Sequence, residues 1–127
     1  KEAIEVSKNN LKFIEERLRK RFKVNFVNKD IKDVKDKFDV IIQNPPFGVK
    51  KVHQDKVFLL KAMDLAKVIY SFHKIESEDF IEKLAIENNF KVTNILRFDF
   101  PIKKILWFHK KEVHRFKVGC WRLVKNN

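Results

Sequence analysis

The sequence is poor in the residues that make disulfides, long loops and membrane spans. Its 127 residues include one cysteine, two glycines and three prolines. The single thiol, Cys120, can form neither an internal disulfide nor a cysteine-based zinc site, and its apolar neighbours predict a packed core thiol. No apolar run approaches the roughly 20 residues that a bilayer span needs. These absences predict a chain without a membrane partner in a reducing, cytoplasmic compartment.

Metal ligands in a usable arrangement are also lacking. The four histidines, His53, His73, His109 and His114, show no ligand spacing with carboxylates or with the cysteine. We therefore predict no metal in this chain. His73 closes an apolar run, and we interpret it as a core histidine with satisfied hydrogen bonds rather than as a catalytic residue.

Acidic residues are outnumbered, with 17 Asp and Glu against 29 Lys and Arg and a formal charge of +12. Residues 101–127 contain eight basic residues and one acid, so more than half of the net charge lies in the last fifth of the chain. A face that contacts phosphates has this form, which favours nucleic acid as the partner. A generally basic surface that serves solubility is the alternative interpretation.

Hydrophobic periodicity predicts an order α-β-β-α-β-α-β-β. The nearly continuous apolar run at 38–43 is typical of a strand that is covered on both faces. Alternating helices and strands favour an open α/β sheet with mostly parallel pairing. The predicted helices span residues 1–20, 56–67 and 78–89, the last with Ser77 as N-cap, and the predicted strands span 22–28, 38–43, 68–73, 91–100 and 114–124.

The segment "FDVIIQNPPFG" ends its strand abruptly in two prolines, which cannot donate to a strand ladder. Ligands of open α/β sheets bind outside the carboxyl ends of the strands, where this corner is expected. The Asn44 side-chain oxygen and the Pro45 carbonyl provide two acceptors for a planar –NH₂ group. Gripping both hydrogens favours a tetrahedral nitrogen with a free lone pair, and Phe47 offers a face on which a base can stack. This chemistry needs neither a metal nor a general base.

Beyond this chemistry, the motif resembles a known signature. "NPPF" after an apolar strand is similar to the amino-methyltransferase signature of S-adenosylmethionine-dependent enzymes with a Rossmann-like fold. The wider pattern, "NPPFG" with lysines at 50–51, then "AMDLAKVIYSFHK", "LRFDFP" and "FHKKE", resembles the methyltransferase-like protein five family over residues 1–124. Members of that family methylate N6 of an adenosine in small-subunit ribosomal RNA. The resemblance implies the same activity, with S-adenosylmethionine as cofactor and ribosomal RNA as partner.

The resemblance also implies roles for individual residues. The cofactor adenine would be held by Asp30 and Ile31, although a turn residue or helix cap is the alternative for Asp30, and Asn44 would contact the cofactor as well. The target adenine would lie against Asn44, Pro45, Pro46 and Phe47. The RNA backbone would be faced by Lys50, Lys51, His109, Lys110 and Lys111.

Two features of the family are missing from this sequence. No glycine precedes Gly48, so the glycine-rich loop around the methionine end of the cofactor is absent. The carboxylate that would hold the cofactor ribose is absent too, and so are the first two strands, which would lie between the strands at 22–28 and 38–43. We interpret residues 1–127 as a single partial methyltransferase domain, the C-terminal portion of the fold. The missing strands are then expected on another chain.

The resemblance suggests a further partner and leaves other functions open. A small zinc-binding activator protein would pair with the strand at 22–28 by strand addition. The same corner could methylate guanine N2, a DNA adenine or a protein glutamine. Phe47 and the basic tail, residues 101–127, argue against glutamine. A basic RNA-binding module without catalysis is the remaining alternative.

Overall fold

The computed structural model describes residues 1–46, 54–103 and 113–127. It describes the side chains of these residues except for those within 101–116. These residues form two compact units, residues 1–34 and residues 35–127. Each unit is described by itself below. The prediction that residues 1–127 form a single partial domain therefore stays a prediction.

The first unit begins with helix α1 (Glu2–Leu18), as predicted. Two acids, Glu2 and Glu5, lie in its first turn, where they interact favourably with the positive end of the helix dipole. The helix ends at Arg19, which adopts a left-handed conformation with φ of 51°. The apolar side chains of Ile14 and Leu18 remain exposed.

The predicted strand at residues 22–28 is wrong, because the structure has no strand in this segment. The Phe22 amide donates to the Glu15 carboxylate at 2.8 Å, and the side chains of Val24 and Val27 are exposed. Alternating β-forming residues supply strand propensity but not a neighbour, and a strand is stable only when it pairs and packs. The activator contact predicted at this strand stays a prediction, without a preformed strand to receive it.

The second unit has an α/β architecture, which confirms the predicted fold class. Within the described residues its elements are β1 (Phe38–Gln43), α2 (Gln54–Leu65), β2 (Ala66–Lys74), α3 (Glu78–Glu87), β3 (Phe90–Lys103) and β4 (Val113–Lys125). These four strands form one sheet in the order β1-β2-β4-β3, so β2 and β4 are central. Among them, only β1 and β2 pair in parallel, whereas β2–β4 and β3–β4 are antiparallel.

The expectation of mostly parallel pairing is therefore wrong. Parallel neighbours need a long crossover, which α2 supplies between β1 and β2. No helix separates β3 from β4 in the sequence pattern, so β4 folds back along β3 and pairs with it antiparallel. Along the chain, helices and strands alternate only as far as α3. Parallel pairing stops earlier, because β2 pairs with its next neighbour in the sheet antiparallel.

One face of the sheet carries the core of this unit. Helices α2 and α3 pack there against β2, β3 and β4, with Ser77 at the N-cap of α3 but without a side-chain cap hydrogen bond. Cys120 is buried, as predicted, and burial raises the pKa of its thiol. The core residues are Leu59, Ala62 and Met63 of α2, Ile81, Leu84 and Ala85 of α3, and Ile69, Phe90, Trp121 and Leu123 of the strands.

The opposite face of β1 is open to solvent. Phe38, Val40 and Ile42 alternate with the inward residues, and Ile42 is 73% exposed. The prediction that both faces of this strand are covered is thus wrong for the described residues. Both faces of β1 are apolar, but only one of them packs against the helices of this unit.

Gly119 lies where a larger residue would collide with the core. A Cβ placed there would come within 2.6 Å of the Trp121 ring, and Trp121 is completely buried. The ring has no open space into which it can turn, because interiors are close-packed. The absence of a side chain at position 119 is therefore a packing requirement of the core.

We expect Gly119→Ala to lower the free energy of unfolding by about 1–3 kcal/mol through overpacking. Urea unfolding measures this effect. An unstrained glycine-to-alanine change would instead stabilise by up to about 1 kcal/mol, so the sign of the change decides. The cost should shrink when Gly119→Ala is combined with Trp121→Phe, and equal costs in both backgrounds would contradict the clash.

Candidate functional site

The Asn-Pro-Pro corner lies directly after β1, at the carboxyl edge of the parallel pair. Gln43, the last residue of β1, is in register with Ser71 of β2. Asn44 is exposed, Pro45 is buried and Pro46 is exposed. The prolines stop the strand, and the buried ring of Pro45 anchors the corner while Asn44 faces solvent.

A short chain of hydrogen bonds lies beside this corner, on the face covered by helices. The Gln43 side-chain amide donates to the Ser71 hydroxyl at 3.0 Å. The Ser71 hydroxyl is in turn 2.6 Å from Nε2 of His73. Ser71 and His73 are both buried, with His73 only 1% exposed. The interior polar groups of β2 are thereby joined to the strand end that carries the corner.

The other ring nitrogen of His73 faces a carboxylate from α2. Asp55, in the first turn of that helix, places Oδ2 3.5 Å from Nδ1. This distance exceeds a well-formed hydrogen bond, and Nδ1 has no such partner among the described residues. The carboxylate therefore acts on the ring mainly through its charge.

Burial governs the protonation of His73. It lowers the pKa of this side chain from its ordinary value of 6.5 to about 4, and the charge of Asp55 opposes the shift only in part. The ring packs edge-on against Trp121, with centroids 5.8 Å apart, so the surroundings are largely apolar. His73 is consequently neutral near pH 7. It is buried in the core, as predicted, but the expectation that its hydrogen bonds are satisfied is wrong, because Nδ1 has no hydrogen-bond partner among the described residues. That His73 is not catalytic stays a prediction.

The residues predicted to bind the cofactor adenine lie in the first unit. Asp30 is the N-cap of a short 3-10 helix, Ile31–Asp33, and its Oδ1 accepts from the Lys32 amide at 2.9 Å. The helix-cap alternative for Asp30 is therefore present in the structure. One carboxylate oxygen makes this cap, and the cofactor role of Asp30 and Ile31 stays a prediction.

Other predicted site residues fall outside the described residues: Phe47, Lys50, Lys51, His109, Lys110 and Lys111. Sequence reasoning also missed three residues beside the corner, namely Gln43, Ser71 and Asp55. A polar residue at the inward position of an apolar strand was the available signal, in "FDVIIQ" for Gln43 and in "YSFHK" for Ser71. No pattern in the sequence pointed to Asp55.

A second polar cluster lies on other strands of the same sheet. The Arg122 guanidinium donates to the Tyr70 hydroxyl at 3.0 Å and to the Thr93 hydroxyl at 2.9 Å. Thr93 lies at an irregularity in the pairing of β3 with β4. This cluster joins β2, β3 and β4, and among the described residues it has no hydrogen bond to β1.

Comparison with known proteins decides the family. The model of the methyltransferase small domain matches residues 1–67, which is more than half of the chain. The chain belongs to this family. The sequence-based prediction of an S-adenosylmethionine-dependent methyltransferase is thereby confirmed at the level of the family.

The relatives are longer proteins. An uncharacterized protein of Methanocaldococcus jannaschii is 36% identical over 98% of this chain, which spans 60% of that protein. An rRNA N6-adenosine methyltransferase of Danio rerio is 41% identical over 60% of this chain, and one of Drosophila melanogaster is 33% identical over 67% of it. The chain spans 38% and 41% of those two proteins, respectively.

Solved structures confirm the Rossmann-like fold. A Pyrococcus horikoshii protein that has been proposed to be an RNA methyltransferase matches with a TM-score of 0.66 and 38% identity. The match covers 77% of this chain and 49% of that one. A Thermoplasma acidophilum protein matches with a TM-score of 0.67 and 25% identity, over 80% of this chain and 55% of the other.

None of the helices within the described residues has the length and apolar character of a membrane span.

The neutral state of His73 predicts a pH dependence of stability. Between pH 6.5 and pH 4 the unfolded chain binds a proton that the folded chain excludes. Stability should therefore fall as the pH drops through this window, by at most about 3 kcal/mol for this group, and the loss should level off below pH 4. Urea unfolding across the window should show this component in the wild type and its absence in His73→Gln. Identical pH profiles of the two proteins would contradict a buried neutral histidine.

Proposed function

We propose that the protein transfers a methyl group from S-adenosylmethionine to an exocyclic amino group of a base in RNA, namely N6 of an adenosine in ribosomal RNA. The observation that carries the proposal is the corner at the carboxyl end of β1. Pro45 is buried and Asn44 is exposed, next to the parallel strand β2. This is where a Rossmann-like sheet binds its substrates.

The chemistry follows from the acceptors of the corner. S-adenosylmethionine, when bound, supplies a methyl carbon attached to a positively charged sulfur. The Asn44 side-chain oxygen and the Pro45 carbonyl accept the two amino hydrogens, so the nitrogen lone pair is directed away from the base ring. With the cofactor bound, the lone pair would form the new N–C bond as the S–C bond broke, and the nitrogen would then lose one proton to solvent. Positioning and electrostatics account for the acceleration.

The proposed contacts to the cofactor adenine come from the first unit. Asp30 offers a carboxylate and Ile31 an apolar side chain, the pair that suits an adenine with its amino group. In the second unit, the exposed Asn44 is available to a target base. A glycine-rich loop and a ribose-binding carboxylate have no counterpart in this sequence, so the proposal assigns those contacts to no residue of this chain.

RNA is the acceptor best supported by charge and by relatives. The excess of 12 positive charges suits a phosphate backbone. Two relatives carry the name rRNA N6-adenosine methyltransferase, although the chain spans only 38% and 41% of them. Adenine N6 in ribosomal RNA is accordingly part of the proposal.

We expect Asn44→Ala to abolish methyl transfer, because one of the two acceptors for the amino hydrogens is lost. The affinity for RNA should stay within a few-fold of the wild type, since the backbone contacts are unchanged. Radiolabelled methyl transfer to ribosomal RNA, followed by digestion to nucleosides, measures both the rate and the methylated base.

A matched control for this experiment is Asn94→Ala, which removes an exposed asparagine from β3. It should leave transfer unchanged. Near-normal turnover of Asn44→Ala would remove the role proposed for Asn44. Methylated guanosine in the digest would change the acceptor. A wild type that transfers no methyl group even when the missing strands are supplied would leave the RNA-binding module as the better account.

The basic tail predicts a salt-dependent contribution to RNA binding. Replacing both Lys110 and Lys111 with alanine should weaken binding and reduce the slope of log K against log salt by up to about 2, one unit for each phosphate contact. Titrations at several salt concentrations measure this slope. The double variant Lys83→Ala with Lys91→Ala, at exposed positions of α3 and β3, serves as the control for loss of charge. An unchanged slope would take the two tail lysines off the RNA face.

A further inference from the structure

The polar chain beside the corner connects the two ends of the motif segment. Gln43 immediately precedes Asn44, and Asp55 lies in the first turn of α2, directly after residues 44–54. Both side chains converge on β2, Gln43 on the Ser71 hydroxyl and Asp55 on the His73 ring. A central strand of the sheet thus ties together the residues on either side of the segment that carries the proposed catalytic corner.

We propose that Gln43, Ser71, His73 and Asp55 form a clamp of positioning residues that fixes the corner for methyl transfer. None of the four is assigned a contact with the reacting atoms. They act through Asn44, whose backbone continues directly from Gln43. This inference rests on the proposed function for its effect on rate, whereas its hydrogen-bond order is independent of that function.

The order of protons in the clamp is determined by its two ends. The Gln43 amide donates to Ser71, so the Ser71 hydroxyl can direct its own proton to Nε2 of His73. Neutral His73 then carries its proton on Nδ1, which faces the negative Asp55 carboxylate. The opposite tautomer would turn the Nδ1 lone pair toward that carboxylate and repel it. Asp55 thereby sets the direction of every hydrogen bond up to Gln43.

Placing polar side chains in these apolar surroundings costs stability, so their presence calls for a functional explanation. Ser71 and His73 lie on the same face as Ile69 of β2 and Trp121 of β4, in the apolar core. Buried polar groups lose their hydration, and apolar side chains of similar volume often give equal or greater stability. Hydrogen bonds are directional, whereas apolar packing is not. A chain of hydrogen bonds that ends at the residue before Asn44 therefore restrains the direction of the strand end.

Such a restraint matters because amino-group transfer depends on geometry. Two acceptors must meet two hydrogens while the lone pair points at the methyl carbon, and a displacement of about 1 Å can cost about 100-fold in rate. A clamp that fails should therefore lower kcat and leave the binding of RNA and cofactor nearly unchanged.

The test compares Gln43→Leu and Ser71→Ala with the control Thr93→Val, which removes a hydrogen bond of the same sheet outside the clamp. We expect kcat to fall about 10- to 100-fold in both clamp variants, with KM for RNA within about twofold and the control unchanged. Gln43 is only half-buried, so Gln43→Leu keeps the test valid if Ser71→Ala does not fold. A kcat within twofold of the wild type in folded Gln43→Leu would overturn the clamp.

A second measurement does not depend on activity. Two-dimensional ¹⁵N NMR of the wild type at pH 7 should show His73 protonated on Nδ1, with Nε2 as the acceptor. In Asp55→Asn this preference should weaken, because the charge that fixes the tautomer is gone. Protonation on Nε2 in the wild type would overturn the proposed order. If no RNA is methylated by the wild type even when the missing strands are supplied, the proposed function fails on its own, whereas this spectrum still decides the order of protons.

Discussion

The parallel pairing of β1 with β2 is the constraint on which the candidate site depends. It places Gln43, at the end of β1, beside the buried Ser71, so the residue that precedes Asn44 is tied to the interior of the sheet. Antiparallel strands β4 and β3 extend the sheet on the other side of β2, and Trp121 of β4 packs against His73 on the inward face. Because β2 is held on both edges, it is the rigid element against which the strand end can be fixed.

The core and the site share this strand, and their requirements conflict. Inward positions of β2 alternate Ile69, Ser71 and His73, so packing changes to hydrogen bonding toward the carboxyl end. Burial keeps His73 neutral, and a neutral imidazole can accept from Ser71 while it faces Asp55 with its other nitrogen. The same desolvation that makes the ring costly to charge thus preserves the direction of the hydrogen bonds.

The sequence predicted the elements that depend on local pattern better than those that depend on a neighbour. Helix α1, helix α3 and strand β2 were found near their observed bounds, because apolar periodicity and β-forming residues specify them locally. The segment at 22–28 has the same local signal but no ladder partner, and there the prediction was wrong. The corner was visible as a motif, since two prolines directly after an apolar run mark the end of a strand.

The part of the site that sequence could not predict is the part that requires register. Gln43 and Ser71 are 28 positions apart and meet only because parallel pairing aligns them. Asp55 meets His73 only because α2 returns over that face of the sheet. Each of these polar residues has an ordinary surface or cap interpretation when considered alone. Their connection through buried Ser71 and His73 to one strand end distinguishes a restraint on Asn44 from four unrelated polar side chains, because unconnected buried polar groups would each cost stability without restraining the strand end.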